Sequence, residues 1–190
     1  MDNAIKIIRE EHAAIGRILA CLEDVAESLV FEGGQGSLEL MSSCLCYMRL
    51  FPEELHHPKE ERYLFAALKR RTRSADLILR RLQAQHVVAS ERTTRIESLM
   101  WSLADGSGRM TEAAAQTLRG TVQDYVAFQR DHIDEEERLV LPLAREVLHA
   151  SDWREISKAF QRNRDPLFGD NRDEPFQALH DHILRTTIAA

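Results

Sequence analysis

His56-His57-Pro58-Lys59-Glu60-Glu61-Arg62 and His132-Ile133-Asp134-Glu135-Glu136-Glu137-Arg138 are two copies of one string, His-x-x-x-Glu-Glu-Arg. A spacing of four puts the histidine and the first glutamate one turn apart on the same face of a helix. Each string follows a solitary histidine: His12 stands 44 residues before His56, and His86 stands 46 residues before His132. The pattern of a lone histidine followed by a histidine–glutamate pair is thus written twice.

Each of these residues interrupts an apolar stripe of helical period. A first segment, residues 3–31, has the seam Ile5, Ile8, His12, Ile15, Leu19, Leu22 and stops at Gly33-Gly34-Gln35-Gly36. A second starts at the N-cap candidate Ser37 and ends at Lys69-Arg70-Arg71, with the seam Leu45, Met48, Pro52, His56, Glu60, Leu64. Pro52 and Pro58 predict a kink or a local split there. A third opens at Ser74 and ends before Gly106-Ser107-Gly108, with Ile78, Leu82, His86, Thr93, Ile96, Met100 and Leu103 on its seam. The fourth runs from Thr111 to His149 through Leu118, Tyr125, Phe128, His132, Glu136, Leu139 and Leu143, with a bend expected at Pro142.

Three short connections between four long helices predict an all-α, up-down-up-down antiparallel four-helix bundle over residues 1–149. Residues 150–190 read as a C-terminal helical extension. Ser151 would cap a short helix to Phe160, residues 162–174 would form a polar loop, and Glu174-Pro175 would open a final helix from Phe176 to Ile188. The extension is expected to pack on the bundle or on a second subunit, as in a homodimer.

The polar interruptions meet at one level. With a rise of about 1.5 Å per residue, His12 lies roughly 15 Å and His86 roughly 18 Å above the starts of their helices. Counted back from the ends of the antiparallel neighbours, Glu60 and His56 lie roughly 16–22 Å up, and Glu136 and His132 roughly 20–25 Å up. Burying that many imidazoles and carboxylates without partners costs several kcal/mol each. A shared cation removes the cost: the carboxylates can bridge two metal ions and the imidazoles can terminate them. Mixed nitrogen and oxygen donors with open positions suit iron first, with manganese or zinc as alternatives.

Composition narrows the class. The chain has 190 residues, 44% hydrophobic and 29% charged, a normal globular balance. Only 8 Gly and 5 Pro leave little material for the turns of an all-β fold. The net charge of −6 argues against nucleic acid as a partner. No apolar run approaches the ~18 residues of a membrane span. The start, Met1-Asp2-Asn3-Ala4-Ile5-Lys6, lacks the pattern of a signal peptide, and the 3 cysteines read as reduced thiols. A cytoplasmic protein is expected.

At these residues the chain resembles the hemerythrin-like, or HHE cation-binding, family. His56 to Phe65 and His132 to Pro142 look like its two HxxxEE…LFP motifs, and Glu11-His12 and Gln85-His86 look like its solitary histidines, over residues 3–148. The resemblance implies a non-haem di-iron centre with oxo and carboxylate bridges. It also implies a protein that binds O₂ or NO, senses iron or oxygen, or handles peroxide and damaged iron centres. The chain departs from the oxygen carriers one turn after His86, where Ser90 replaces their further histidine. Four His and two Glu then remain (His12, His56, Glu60, His86, His132, Glu136), with more positions open to water, O₂, NO or peroxide. That weakens a simple oxygen-carrier reading and favours sensing or redox chemistry. The leading expectation is a sensor or store of O₂ or NO, with a peroxidase-like, catalase-like or iron-repair enzyme as the alternative. A single-metal site is a further option.

Two places carry two readings each. His56 with Glu60 repeats the His132–Glu136 pattern and is preferred, and His57 with Glu61 is the alternative register. Tyr125, two turns before His132, either brings a hydroxyl toward the metals or is a core aromatic. Glu135 and Glu137 read as solvated, and His149, His180 and His182 as surface residues.

Overall fold

The computed structural model describes residues 2–32, 35–104, 111–162, 165–167 and 179–182, and among these there is no β-strand. Helix α1 spans Asp2–Glu32. The next rod is continuous from Gln35 to Arg71: α2 (Gln35–Met48), a π-helical segment (Arg49–His56), α3 (His57–Lys59), a second π-helical segment (Glu60–Phe65) and α4 (Ala66–Arg71). Then come α5 (Asp76–Ala104), α6 (Glu112–Glu135), a π-helical segment (Glu136–Val140), α7 (Leu141–Val147) and α8 (Ala150–Phe160).

The expected split at Pro52 and Pro58 does not occur: the rod widens there into π-helical turns and stays unbroken. Pro52 has no N–H to give to the turn before it, and the N–H of His57 reaches back five residues to the Pro52 carbonyl. In the fourth helix the N–H of Leu141 reaches back five residues to Glu136, just ahead of Pro142. Each wide turn rotates the residues after it. This is why Leu139, expected on the buried seam, is 48% exposed while Val140 and Leu141 are buried.

Two apolar clusters sandwich the polar level. One gathers Ile15, Leu19, Leu22, Leu45, Phe51, Ile96 and Val126. The other gathers Ile5, Ile8, Leu64, Leu82, Val140 and Trp153. Every long helix crosses from one cluster to the other through its histidine. Helix α1 packs on α2 and α6, and α5 packs on α6 and on the rod. Along α1 and α6 the partners run in opposite order: Glu27 with Arg119, Glu23 with Arg130, His12 with Glu137.

Helix α8 packs on α1 and on the Glu60–Phe65 segment. It starts after His149, whose N–H donates to Asp152 Oδ2 at 2.9 Å, so Ser151 lies inside the first turn and is not its cap. Arg71 Nε donates to the same carboxylate at 2.8 Å and Arg70 approaches it at 3.6 Å. The basic cluster at the end of α4 thus anchors α8 as well as closing its own helix. His180, expected at the surface, is buried next to the core residue Leu179. Apart from residues 179–182, which are helical, the expected helix 176–188 lies outside the described residues. No helix among the described residues is long and apolar enough to cross a membrane.

Candidate metal centre

The four crossings bring seven buried donors together in two groups of four, with ligand atoms all within 4.8 Å of one another in each group. One group is His12, His56, Glu60 and Glu136, and the other is His57, Glu60, His86 and His132. Glu60 belongs to both. Its Oε1 lies 3.2 Å from His56 Nε2 and 3.7 Å from His12 Nε2, while its Oε2 lies 3.7 Å from His86 Nε2. Glu136 also divides its oxygens, Oε2 lying 3.3 Å from His12 and Oε1 3.6 Å from His132. The Nε2 atoms of His86 and His132 face each other at 3.2 Å.

The structure therefore gathers all six preferred residues and adds His57. The registers His56/Glu60 and His57/Glu61 turn out not to be exclusive for the histidines. The wide turn at Arg49–His56 lets two consecutive imidazoles face inward, with ring centroids 5.7 Å apart and planes at 61°. His57 stacks on His86 at 4.1 Å and joins the second group. Glu61 joins neither group. With His57 included, the donor count rises from the expected six to seven, five imidazoles and two carboxylates, despite Ser90.

A ring of outer hydrogen bonds aims the imidazoles. His56 Nδ1 donates to Glu11 at 2.7 Å, His86 Nδ1 to Glu61 at 2.7 Å, His132 Nδ1 to Gln85 at 2.8 Å and His12 Nδ1 to Glu137 at 3.1 Å. Because the three carboxylates and the Gln85 amide oxygen only accept, Nδ1 carries a proton and Nε2 is the atom turned inward, the arrangement that metal-bound histidines share. Glu137, expected in solvent, is one of these acceptors. Glu135 is half-buried and accepts from Gln85 and Arg81. The repeat held a signal for this ring: the residue before each lone histidine and the residue after each motif glutamate supply the four acceptors. A surface cavity of about 630 Å³, lined by Pro58, Lys59, Glu61 and Gln83 among others, reaches the outer partner of His86.

The two groups differ electrically. Burial, then His86, pushes His132 down to about 3, and the same causes hold His57 well below the usual histidine range. Against burial, Glu60 and the bond to Glu11 raise His56 to about 9, and Glu136 and Glu137 raise His12 well above its usual value. Burial, then Glu60, raises Glu136 to about 8.

Tyr125 is fully buried. Its hydroxyl accepts from Gln129 at 3.0 Å and lies 3.3 Å from Thr93 Oγ1, neither of them in a donor group. Burial pushes its phenol up to about 12.

The chain belongs to the hemerythrin HHE cation-binding domain family, whose domain it matches over residues 3–144. It is also similar to two uncharacterized proteins, one of Mycobacterium tuberculosis and one of Mycobacterium bovis. Each is 24% identical to it over 176 residues, which cover 93% of this chain and 66% of the relative. The chain thus spans about two thirds of the length of these relatives.

The donors fit a cation on physical grounds. Among the described residues, both oxygens of Glu60, both of Glu136 and His12 Nε2 are buried without a hydrogen-bond partner. Native cores rarely leave such groups unsatisfied. Two positive ions would satisfy all five atoms at once.

Proposed function

We propose that residues 1–149 form an up-down-up-down antiparallel four-helix bundle holding two iron ions, and that the protein binds O₂ or NO as a sensor or store. The observation that carries this reading is the shared Glu60, which gives two four-donor groups a common carboxylate. Bound iron would supply redox-active coordination positions for a small diatomic ligand. His12, His56 and Glu136 would hold one ion, His57, His86 and His132 the other, and Glu60 would lie between them. Four protein donors at each ion leave positions for a small molecule.

The protein's own part is to orient and to exclude. Glu11, Glu61, Gln85 and Glu137 fix the rings, and the apolar clusters above and below keep bulk water from the donors. Phe51 and Phe160 press on His56, with ring centroids 6.3 and 6.1 Å away.

The test is anaerobic loading with Fe(II), followed by visible spectra on adding O₂, NO or hydrogen peroxide. The binding reading expects a spectral change that reverses when the gas is removed, without turnover. Sustained consumption of hydrogen peroxide that disappears in His132→Ala would replace it with a peroxidase-like enzyme on the same scaffold.

A further inference from the structure

Away from the metal level, two thiols face each other inside the first apolar cluster. Cys21 on α1 and Cys44 on α2 are both buried, 5% and 0% exposed, and lie 3.7 Å apart sulfur to sulfur, with the Cys44 S–H donating to Cys21. Ile18, Leu22, Leu45 and Met48 belong to the same cluster. The third cysteine, Cys46, is exposed. Two residues further along the helix, it points away from Cys44.

A lone thiol in such a place is inert packing. A facing pair is different, because a disulfide needs sulfurs about 2.05 Å apart, a closure of less than ~2 Å that side-chain rotation can share between two residues. The hydrogen bond also divides the pair into unlike partners. Donation from Cys44 draws Cys21 below the usual thiol value, whereas the bond to Cys21, then burial, push Cys44 well above it. Cys21, 5% exposed against 0% for Cys44, is the sulfur that a small oxidant meets first.

We propose that Cys21 and Cys44 form a peroxide-oxidisable dithiol that closes to an intramolecular disulfide between α1 and α2. The Cys21 sulfur attacks one oxygen of hydrogen peroxide and the O–O bond breaks. Water leaves, and Cys21 becomes a sulfenic acid. The Cys44 sulfur then attacks Cys21 and the S–O bond breaks. Hydroxide departs and takes up the Cys44 proton as a second water. In sum, two thiols and one hydrogen peroxide give one disulfide and two waters. The sulfurs are oxidised by two electrons and the peroxide is reduced by two. Only a small oxidant reaches Cys21 at this burial, which separates the pair from the exposed Cys46. The reaction uses no metal ligand, so it stands or falls independently of the iron reading.

The test treats the full chain, as purified, with dilute hydrogen peroxide. Remaining thiols are then blocked with N-ethylmaleimide in denaturant, and unreduced peptides are mapped by mass. The expected result is one linked Cys21–Cys44 peptide pair and a fall in free thiols from 3 to one per chain. The chain stays monomeric on a non-reducing gel. Cys46→Ser retains the linkage, and Cys44→Ser halts Cys21 at a sulfenic acid that dimedone traps. Separate labelling of Cys21 and Cys44 after an exposure that oxidises Cys46 would overturn the proposal, as would cross-linking through Cys46 alone. The wild-type peptide map decides the matter even if a serine variant folds poorly.

Discussion

The two halves of the centre come from one pattern and end up chemically unlike. In the first half, Glu11-His12 precedes His56-His57 and Glu60-Glu61; in the second, Gln85-His86 precedes His132-Ile133 and Glu136-Glu137. The outer ring treats the halves alike, with two acceptors from each: Glu11 and Glu61, Gln85 and Glu137. The inner donors do not, because His57 faces inward where its counterpart Ile133 packs against the first apolar cluster. The cause is an additional wide turn. Both halves widen from the motif glutamate onward, at Glu60–Phe65 and at Glu136–Val140. The first half also widens at Arg49–His56, before its glutamate, and this brings two imidazoles round. One end is therefore rich in imidazole and the other in carboxylate. A duplicated framework thus yields two unlike donor groups through one additional wide turn.

Removing the shared residue should erase the contrast altogether. Glu60→Ala takes a donor from both ends, so metal analysis after Fe(II) loading should find both ions lost. The loss of affinity should exceed the roughly 10–100-fold typical of outer-partner mutations. His57→Ile makes the halves alike, and should empty the imidazole-rich end while leaving the other filled, about half the wild-type metal content. Retention of the full content would mean that His57 is not a ligand.

The outer partners should matter less and at their own ends. Glu61→Gln, which keeps an acceptor but removes the charge beside His86, should weaken the imidazole-rich end by at most about 10–100-fold, read by competitive chelator titration. Glu11→Gln should do the same for the carboxylate-rich end through His56. The smallest effect is a difference in pH dependence. Without metal, His56 at about 9 and Glu136 at about 8 hold protons at neutral pH that an ion must displace. His132 at about 3 holds none. As pH falls from 8 to 6, the carboxylate-rich end should lose affinity first, by about tenfold per pH unit for each proton displaced. Equal loss at both ends would remove the electrical distinction.

Much of this was readable in the residue order. Seam spacing located the long helical segments, and counting the helix rise brought His12, His56, Glu60, His86, His132 and Glu136 to one level. His57 was beyond that method because it assumes a constant period, and a five-residue turn at Pro52 changes the phase within the motif itself. The same kind of shift moved Leu139 to the surface. The outer acceptors Glu61 and Glu137 looked like solvent residues because their partners sit on other helices, and only packing decides which side chains cross. Arg71 meeting Asp152, 81 residues away, is of the same kind.

If the Glu60 carboxylate is shared by two metal ions, its removal must abolish both sites. Anaerobic titration of the metal-free chain with Fe(II), monitored by binding calorimetry alongside Glu60→Ala, tests it most directly. Two equivalents per chain are expected in the wild type and none in the variant. A single equivalent in the wild type, or two equivalents that survive the loss of Glu60, would contradict it.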